Sequence, residues 1–276
     1  MTPTSGFTFQ VHGRLVDLSR PCVMGILNAT PDSFFAGSRK QTEHDISRRA
    51  DEIVEQGGAI IDVGACSTRP GAGEVSEAEE MERLRTALAA VRRVQPDAVL
   101  SVDTFRPDVA RMAVEEYGAG IVNDVSESAS MFAMVARLRV AYVLMSVRPS
   151  IETMLPVLAD EVRQLHALGV RDVLIDPGFG FGKTLADNYR LLARMELLHS
   201  LRLPLLVGVS RKSMVYRLLD CSPDEALSGT TALHAVALAK GARVLRVHDV
   251  ADAVAAVRVM EALRQYDPAT GLEEQK

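Results

Sequence analysis

Residues 99–122 read VLSVDTFRPDVARMAVEEYGAGIV, and this stretch sets the pattern for the whole chain. An apolar, β-branched run ends on Asp103. Pro107 suits the first position of a helix, where its missing N–H is no loss. Gly118 suits the left-handed end of that helix, and another apolar run starts at Gly120. Working outward, the same alternation recurs. The strand candidates are 22–27, 60–63, 99–102, 120–122, 142–145, 173–175, 205–209 and 244–247. Their runs are nearly continuous in apolar residues, as in parallel strands covered on both faces. Before them, residues 7–18 alternate about His12-Gly13 and read as a β-hairpin.

The intervening stretches carry helix signals. Ser76-Glu77-Ala78-Glu79 fits a capping box, followed by Met81, Leu84, Leu88 and Val91 on one face. Gly57 and Gly169 suit stops after helices over 46–56 and 152–168. Asp249 suits the N-cap of a helix over 251–265, and another helix is expected over 230–240. Pro156 falls early in its helix pattern. Eight strand–helix units after a hairpin predict a (β/α)8 TIM barrel of the α/β class, as one domain over 1–276. The hairpin lies within 1–20 and 267–276 reads as a frayed tail. A doubly wound open sheet is the alternative.

Composition narrows the function classes. The 276 residues are 47% hydrophobic and 24% charged, which excludes a disordered or fibrous chain. Lys plus Arg is 31 against 36 Asp plus Glu, a net charge of −5, so no general nucleic-acid partner is expected. Cys22, Cys66 and Cys221 are odd in number and scattered, as for reduced thiols in a cytoplasmic protein. The first ten residues show no basic and then apolar leader. No run approaches about 18 apolar residues, so no membrane span is expected.

A barrel places chemistry at the C-terminal ends of its strands. Those ends carry Asn28, Asp62, Asp103, Asn123-Asp124, Met145-Ser146, Asp176, Ser210-Arg211-Lys212-Ser213, and Arg246 with His248. Ser67-Thr68-Arg69 follows the second strand. One Asp or Asn at such a place is explained by capping of the next helix. Polar residues at all eight ends point instead to a pocket. An ionised Asp accepts two hydrogen bonds and so suits a ring N–H beside an exocyclic amine, whereas Lys212 donates only. Arg69, Lys212, Arg246 and His248 would supply local positive charge for a phosphate. Arg246 lies inside an apolar run, which argues against an ordinary surface charge.

Other motifs fail. Residues 176–184, DPGFGFGKT, lack the first glycine of a phosphate loop, because Pro177 stands there. These glycines suit tight backbone at a pocket rim. No two of the histidines and cysteines stand at zinc-ligand spacing, and no G-x-S-x-G elbow is present.

Seven motifs in order resemble those of the dihydropteroate synthase family. Residues 25–34, GILNATPDSF, are similar to its first pterin motif and residues 57–71, GGAIIDVGACSTRPG, to its second. Ser101–Thr104, Asn123-Asp124, 176–184, 208–213 and 246–248 follow in the family's order. The resemblance implies condensation of 6-hydroxymethyl-7,8-dihydropterin diphosphate with 4-aminobenzoate, giving 7,8-dihydropteroate and pyrophosphate in folate synthesis. It implies that Asp103, Asn123, Asp176 and Lys212 hold the pterin. Asn28, Arg246 and His248 would hold the diphosphate, with Arg69 touching it and Asn28 also contacting Mg2+. Thr68, Pro70, Phe181 and Ser213 would border the aminobenzoate, where sulfonamides compete. Met145 and Gly208 count among the substrate-binding residues, and Lys212, Arg246 and Asp103 among the catalytic ones.

The chain departs from the family at several places. Phe35-Ala36 stands where a second loop-one acid is common, and Ser146 where the fifth strand usually ends in Met-His. The stretches 126–131 and 147–152 also look short. Two further readings therefore stand beside the synthase: a non-catalytic pterin-binding homologue and a pterin-dependent methyltransferase domain. Family members commonly pair as homodimers, and the helices over 230–240 and 251–265 are rich enough in Ala, Val and Leu to permit this.

Overall fold

The computed structural model describes residues 7–11, 13–30, 39–66 and 75–266. The chain opens with an antiparallel hairpin of β1 (Thr8–Val11) and β2 (Arg14–Asp17). Among the described residues, eight parallel strands then form a closed barrel. They are β3 (Cys22–Asn28), β4 (Ile60–Gly64), β5 (Val99–Asp103), β6 (Ile121–Asp124), β7 (Ala141–Met145), β8 (Val173–Asp176), β9 (Leu205–Val207) and β10 (Ala242–Val247). The pairing of Val244 with Cys22 through Val247 with Gly25 closes the circle and excludes the open sheet. β9 is shorter than the expected 205–209, its ladder ending before Gly208 and Val209.

Helices return the chain between strands: α1 (Arg39–Glu55), α2 (Glu77–Val94), α3 (Pro107–Tyr117), α4 (Ala129–Leu138), α5 (Ile151–Ala167), α6 (Leu185–Ala193), α7 (Ser213–Tyr216), α8 (Leu227–Ala239) and α9 (Val250–Gln265). α3 starts with Pro107 at N1 and ends on Gly118 at φ 65°. α1 begins well before the expected residue 46. Its apolar stripe of Ile46, Ala50 and Ile53 lies only in the later turns, and that stripe carries the sequence signal. The capping box of α2 is half made: Ser76 Oγ accepts from the Glu79 N–H, but the Glu79 carboxylate pairs with Arg83. α5 runs through Pro156. Asp249 occupies the N-cap position of α9 without capping it, because both its carboxylate oxygens accept from Arg211.

The barrel strands are buried on both faces. Outward residues such as Val63, Val102, Tyr142 and Val207 pack under the helices. Inward residues Met24, Ile60, Ile121, Val143, Leu174, Leu206 and Val244 form a separate core with Phe9, Val11 and Leu18 of the hairpin region. Each such buried side chain contributes roughly 1.5–3 kcal/mol. The hairpin therefore seals the N-terminal end of the barrel. At Gly120 a Cβ would lie 2.3 Å from Val11 Cγ1, so this strand start admits no side chain. No helix among the described residues is long and apolar enough to cross a membrane.

Candidate active site

Side chains alternate faces along a strand, so parity carries the inward register upward from the apolar floor. Two residues above Ile60 stands Asp62, above Ile121 Asn123, above Leu174 Asp176, and above Val244 Arg246. These polar groups meet over the floor. Arg246 donates from Nε to Asp62 Oδ2 at 2.6 Å and from Nη2 to Asp103 Oδ2 at 2.5 Å. Asn123 Nδ2 donates to the same Asp62 oxygen at 3.2 Å. Asp62 is fully buried, while Arg246 and Asp103 are each 20% exposed and so face the mouth. The two carboxylates hold Arg246 firmly cationic against its burial. Burial pushes the Asp103 carboxyl well above the usual range; Arg246 opposes this, and Asp62, Glu80 and Asp124 reinforce it.

The opposite wall is built by the loop after β8. Asp176 Oδ1 accepts from the Gly178 N–H at 2.8 Å. Burial raises its carboxyl, with Lys212 as the largest opposing influence. Lys212 Nζ donates to the Phe179 carbonyl and lies 4.8 Å from the centre of the Phe181 ring. Burial pulls this lysine down to about 8. Gly208 lies beside both cations: a Cβ there would stand at ordinary contact distance, 3.8 Å from Lys212 Nζ and 3.9 Å from Arg246 Cβ. The rim glycines take the expected tight backbone: Gly178, Gly180 and Gly182 all have positive φ. Met145 is buried at the end of β7, in register with Asp176.

His248 lies just beyond β10. Its Nδ1 is 3.1 Å from Ser210 Oγ, its N–H donates to that oxygen at 3.2 Å, and its carbonyl accepts from Arg49 at 2.6 Å. Asn28 ends β3 opposite Gly64. Ser213 opens α7 beside Lys212. Thr68, Arg69 and Pro70, and the altered loop at Phe35-Ala36, lie outside the described residues, as does the 267–276 tail. Among the described residues no cluster of three His, Cys, Asp or Glu could hold a metal ion.

Two strand-end groups do not join the pocket. Asp124 points outward and accepts from the Tyr142 hydroxyl at 2.7 Å and from Ser126 N–H and Oγ at 2.8 Å. Arg211 turns to Asp249 and Asp224. Asp62 is the reverse case, a strand-end acid to which sequence reasoning assigned no ligand. Its signal was a carboxylate sharing parity with Ile60 in the run IIDVG. Capping does not explain the polar ends, because Asp62, Asp103, Asn123 and Asp176 cap none of the described helices.

A closed α/β barrel whose mouth sets carboxylates and an amide beside Arg and Lys has the donors and acceptors that suit a heterocycle carrying an anionic group. Comparison with known proteins gives this class its family. Residues 24–248 match the family model of pterin binding enzymes. The chain is 40% identical to the dihydropteroate synthase of Escherichia coli K12, over 91% of this chain and 94% of that one. It is 36% identical, with a TM-score of 0.86, to the structure of Xanthomonas albilineans dihydropteroate synthase with 4-aminobenzoic acid, covering 95% of this chain and all of that one. Yersinia pestis dihydropteroate synthase, solved as a sulfonamide drug complex, gives 36% identity and a TM-score of 0.84 over 94% of this chain and 100% of its own. The chain belongs to the pterin-binding enzymes, in the family of the dihydropteroate synthases.

Proposed function

We propose that this pocket makes 7,8-dihydropteroate from 6-hydroxymethyl-7,8-dihydropterin diphosphate and 4-aminobenzoate, as a transferase of folate synthesis. The observation that carries the reading is the inward ring of Asp62, Asp103, Asn123, Asp176, Lys212 and Arg246 above an apolar floor. Asp176 accepts the paired N–H and NH2 donors of the pterin; Asp103 and Asn123 bind its other edge, and Lys212 donates to a ring acceptor. Arg246 and His248 meet the diphosphate. Asn28 offers one hard amide oxygen, which suits Mg2+ if phosphate and water complete its shell. When bound, Mg2+ neutralises part of the diphosphate charge. The C–O bond then breaks with its electron pair leaving on pyrophosphate, and the aryl amine attacks the methylene cation and loses a proton. Neutralisation by Arg246 and Lys212 favours that departure. No side-chain nucleophile is required.

Phe181 and Ser213 border the acceptor, and the family motif assigns residues 68–70, outside the described residues, to the same subsite. The Xanthomonas enzyme was solved with 4-aminobenzoic acid and the Yersinia enzyme with a sulfonamide drug, which supports an aminobenzoate-sized acceptor for this chain. We assign the enzyme to the cytoplasm, with small molecules rather than nucleic acid or membrane as ligands. The exposed Val236, Val259 and Leu263 of α8 and α9 suit a second copy of the chain, which sedimentation would test. The decisive experiment is product formation from both substrates with Mg2+ and then with EDTA. Mg2+-dependent dihydropteroate is expected. Saturable pterin diphosphate binding without product would refute the synthase and leave a non-catalytic pterin binder.

A further inference from the structure

The loop after β8 is fastened by a lysine outside the substrate contacts described above. Lys183 Nζ donates to the carbonyls of Ser146 at 2.9 Å, Gly178 at 2.9 Å and Phe181 at 3.3 Å. Among the described residues it has no carboxylate within ion-pair distance. Ser146 stands just past β7, whereas Gly178 and Phe181 belong to the loop, so one ammonium ties two segments together. The approach is close: a Cβ on Gly178 would lie 2.1 Å from Ser146 O. Asn188 adds support from α6, its Oδ1 accepting from Gly180 N–H at 2.7 Å and its Nδ2 donating to Thr184 O at 2.8 Å. The fastened loop presents two groups to Lys212, the Phe179 carbonyl and the Phe181 ring.

We propose that Lys183 is a positioning residue for the acceptor subsite, its ammonium clamping the 177–183 loop to the end of β7 so that Phe181 and Lys212 stay in register. This rests on the reading of Phe181 as a wall of the aminobenzoate site. The chemistry requires an ammonium. Its three donors spread around one nitrogen and match three converging carbonyls, whereas a guanidinium presents a planar fork. Methionine keeps the stem and supplies no donor. Burial pulls Lys183 down to about 8, opposed by Asp176, Glu127 and Asp187, so the clamp is charged at pH 7.

The test compares the full chain with Lys183→Met and Lys183→Ala at pH 7, using amide hydrogen exchange and steady-state kinetics. Exchange of residues 177–183 is expected to quicken about tenfold and the KM for 4-aminobenzoate to rise about tenfold, the loss of one hydrogen bond from a charged donor. The Kd for pterin diphosphate, held by the far wall as well, should move less than about threefold on the same reasoning. Added n-propylammonium should restore much of the Lys183→Ala KM, and 1-propanol should not. Unchanged loop exchange would overturn the clamp. Equal weakening of both substrates with no rescue by propylammonium would overturn the positioning role and leave a residue of general stability. A wild-type chain that makes no dihydropteroate would instead refute the functional reading, and the exchange comparison would still decide the clamp.

Discussion

Replacing Arg246 by Met tests the electrostatic centre of the site. In the wild type one guanidinium lies between Asp62 and Asp103, bonded to each at 2.6 and 2.5 Å. Its removal leaves two neighbouring carboxylates, one fully buried, with no cation between them. Breaking a buried ion pair by deleting one partner costs about 3–5 kcal/mol. The folded protein has one way to reduce that cost: the pair takes up a proton, shared between the two sites. The pair's pKa in the folded variant then lies above its unfolded value of about 4. In the window between the two, the folded state binds more protons than the unfolded state, so stability falls as pH rises. The slope is about 1.4 kcal/mol per pH unit for each extra proton. Burial already raises Asp103 in the wild type, so the readout is the difference between the two proteins. Urea unfolding without ligands at pH 5, 6, 7 and 8 should show a gap of about 1–2 kcal/mol at pH 5, widening to about 3–5 kcal/mol at pH 8. Adding Asp103→Asn should remove most of the widening. Parallel stability curves, with the same gap at every pH, would refute the reasoning.

Because Lys212 is depressed to about 8 and charged below that value, kcat/KM should fall as pH rises through about 8. Lys212→Met should lose roughly 10- to 100-fold at pH 7, the scale of one hydrogen bond to a charged group, and show no such limb; an unaltered alkaline limb would assign it to another group. Gly178→Ala meets both a positive φ of 68° and the Ser146 carbonyl, and should destabilise the chain by roughly 2–4 kcal/mol in urea unfolding. Tyr142→Phe removes one partner of the buried Asp124 carboxylate and should cost about 1–3 kcal/mol of stability while leaving kcat/KM unchanged; an activity loss would place Asp124 in the site after all.

The contrast between Asn123 and Asp124 shows what sequence carried and what it did not. Apolar runs with Gly and Pro punctuation revealed every barrel strand, because secondary-structure period and breakers are local properties. They could not say which of two adjacent polar residues faces inward. Both faces of these strands are apolar, so alternation leaves no mark, and only barrel closure sets the parity. The same limit hid the central place of Asp62 and suggested a pocket role for Arg211, which an ion pair across to α9 draws away. Asp249 failed as a cap for that same reason: a partner distant in sequence outcompeted the local backbone. The Lys183 clamp was also out of reach, since it depends on carbonyls that converge only in three dimensions.

The sealed floor of the barrel gives the molecule a free end. Leu15 in β2 is 73% exposed, on the hairpin that plugs the end opposite the mouth. A tether attached there would hold the enzyme upright on a sensor surface, with its binding face turned to the flowing solution. Immobilised in that orientation, the chain would report ligand arrival free of steric shadow from the support.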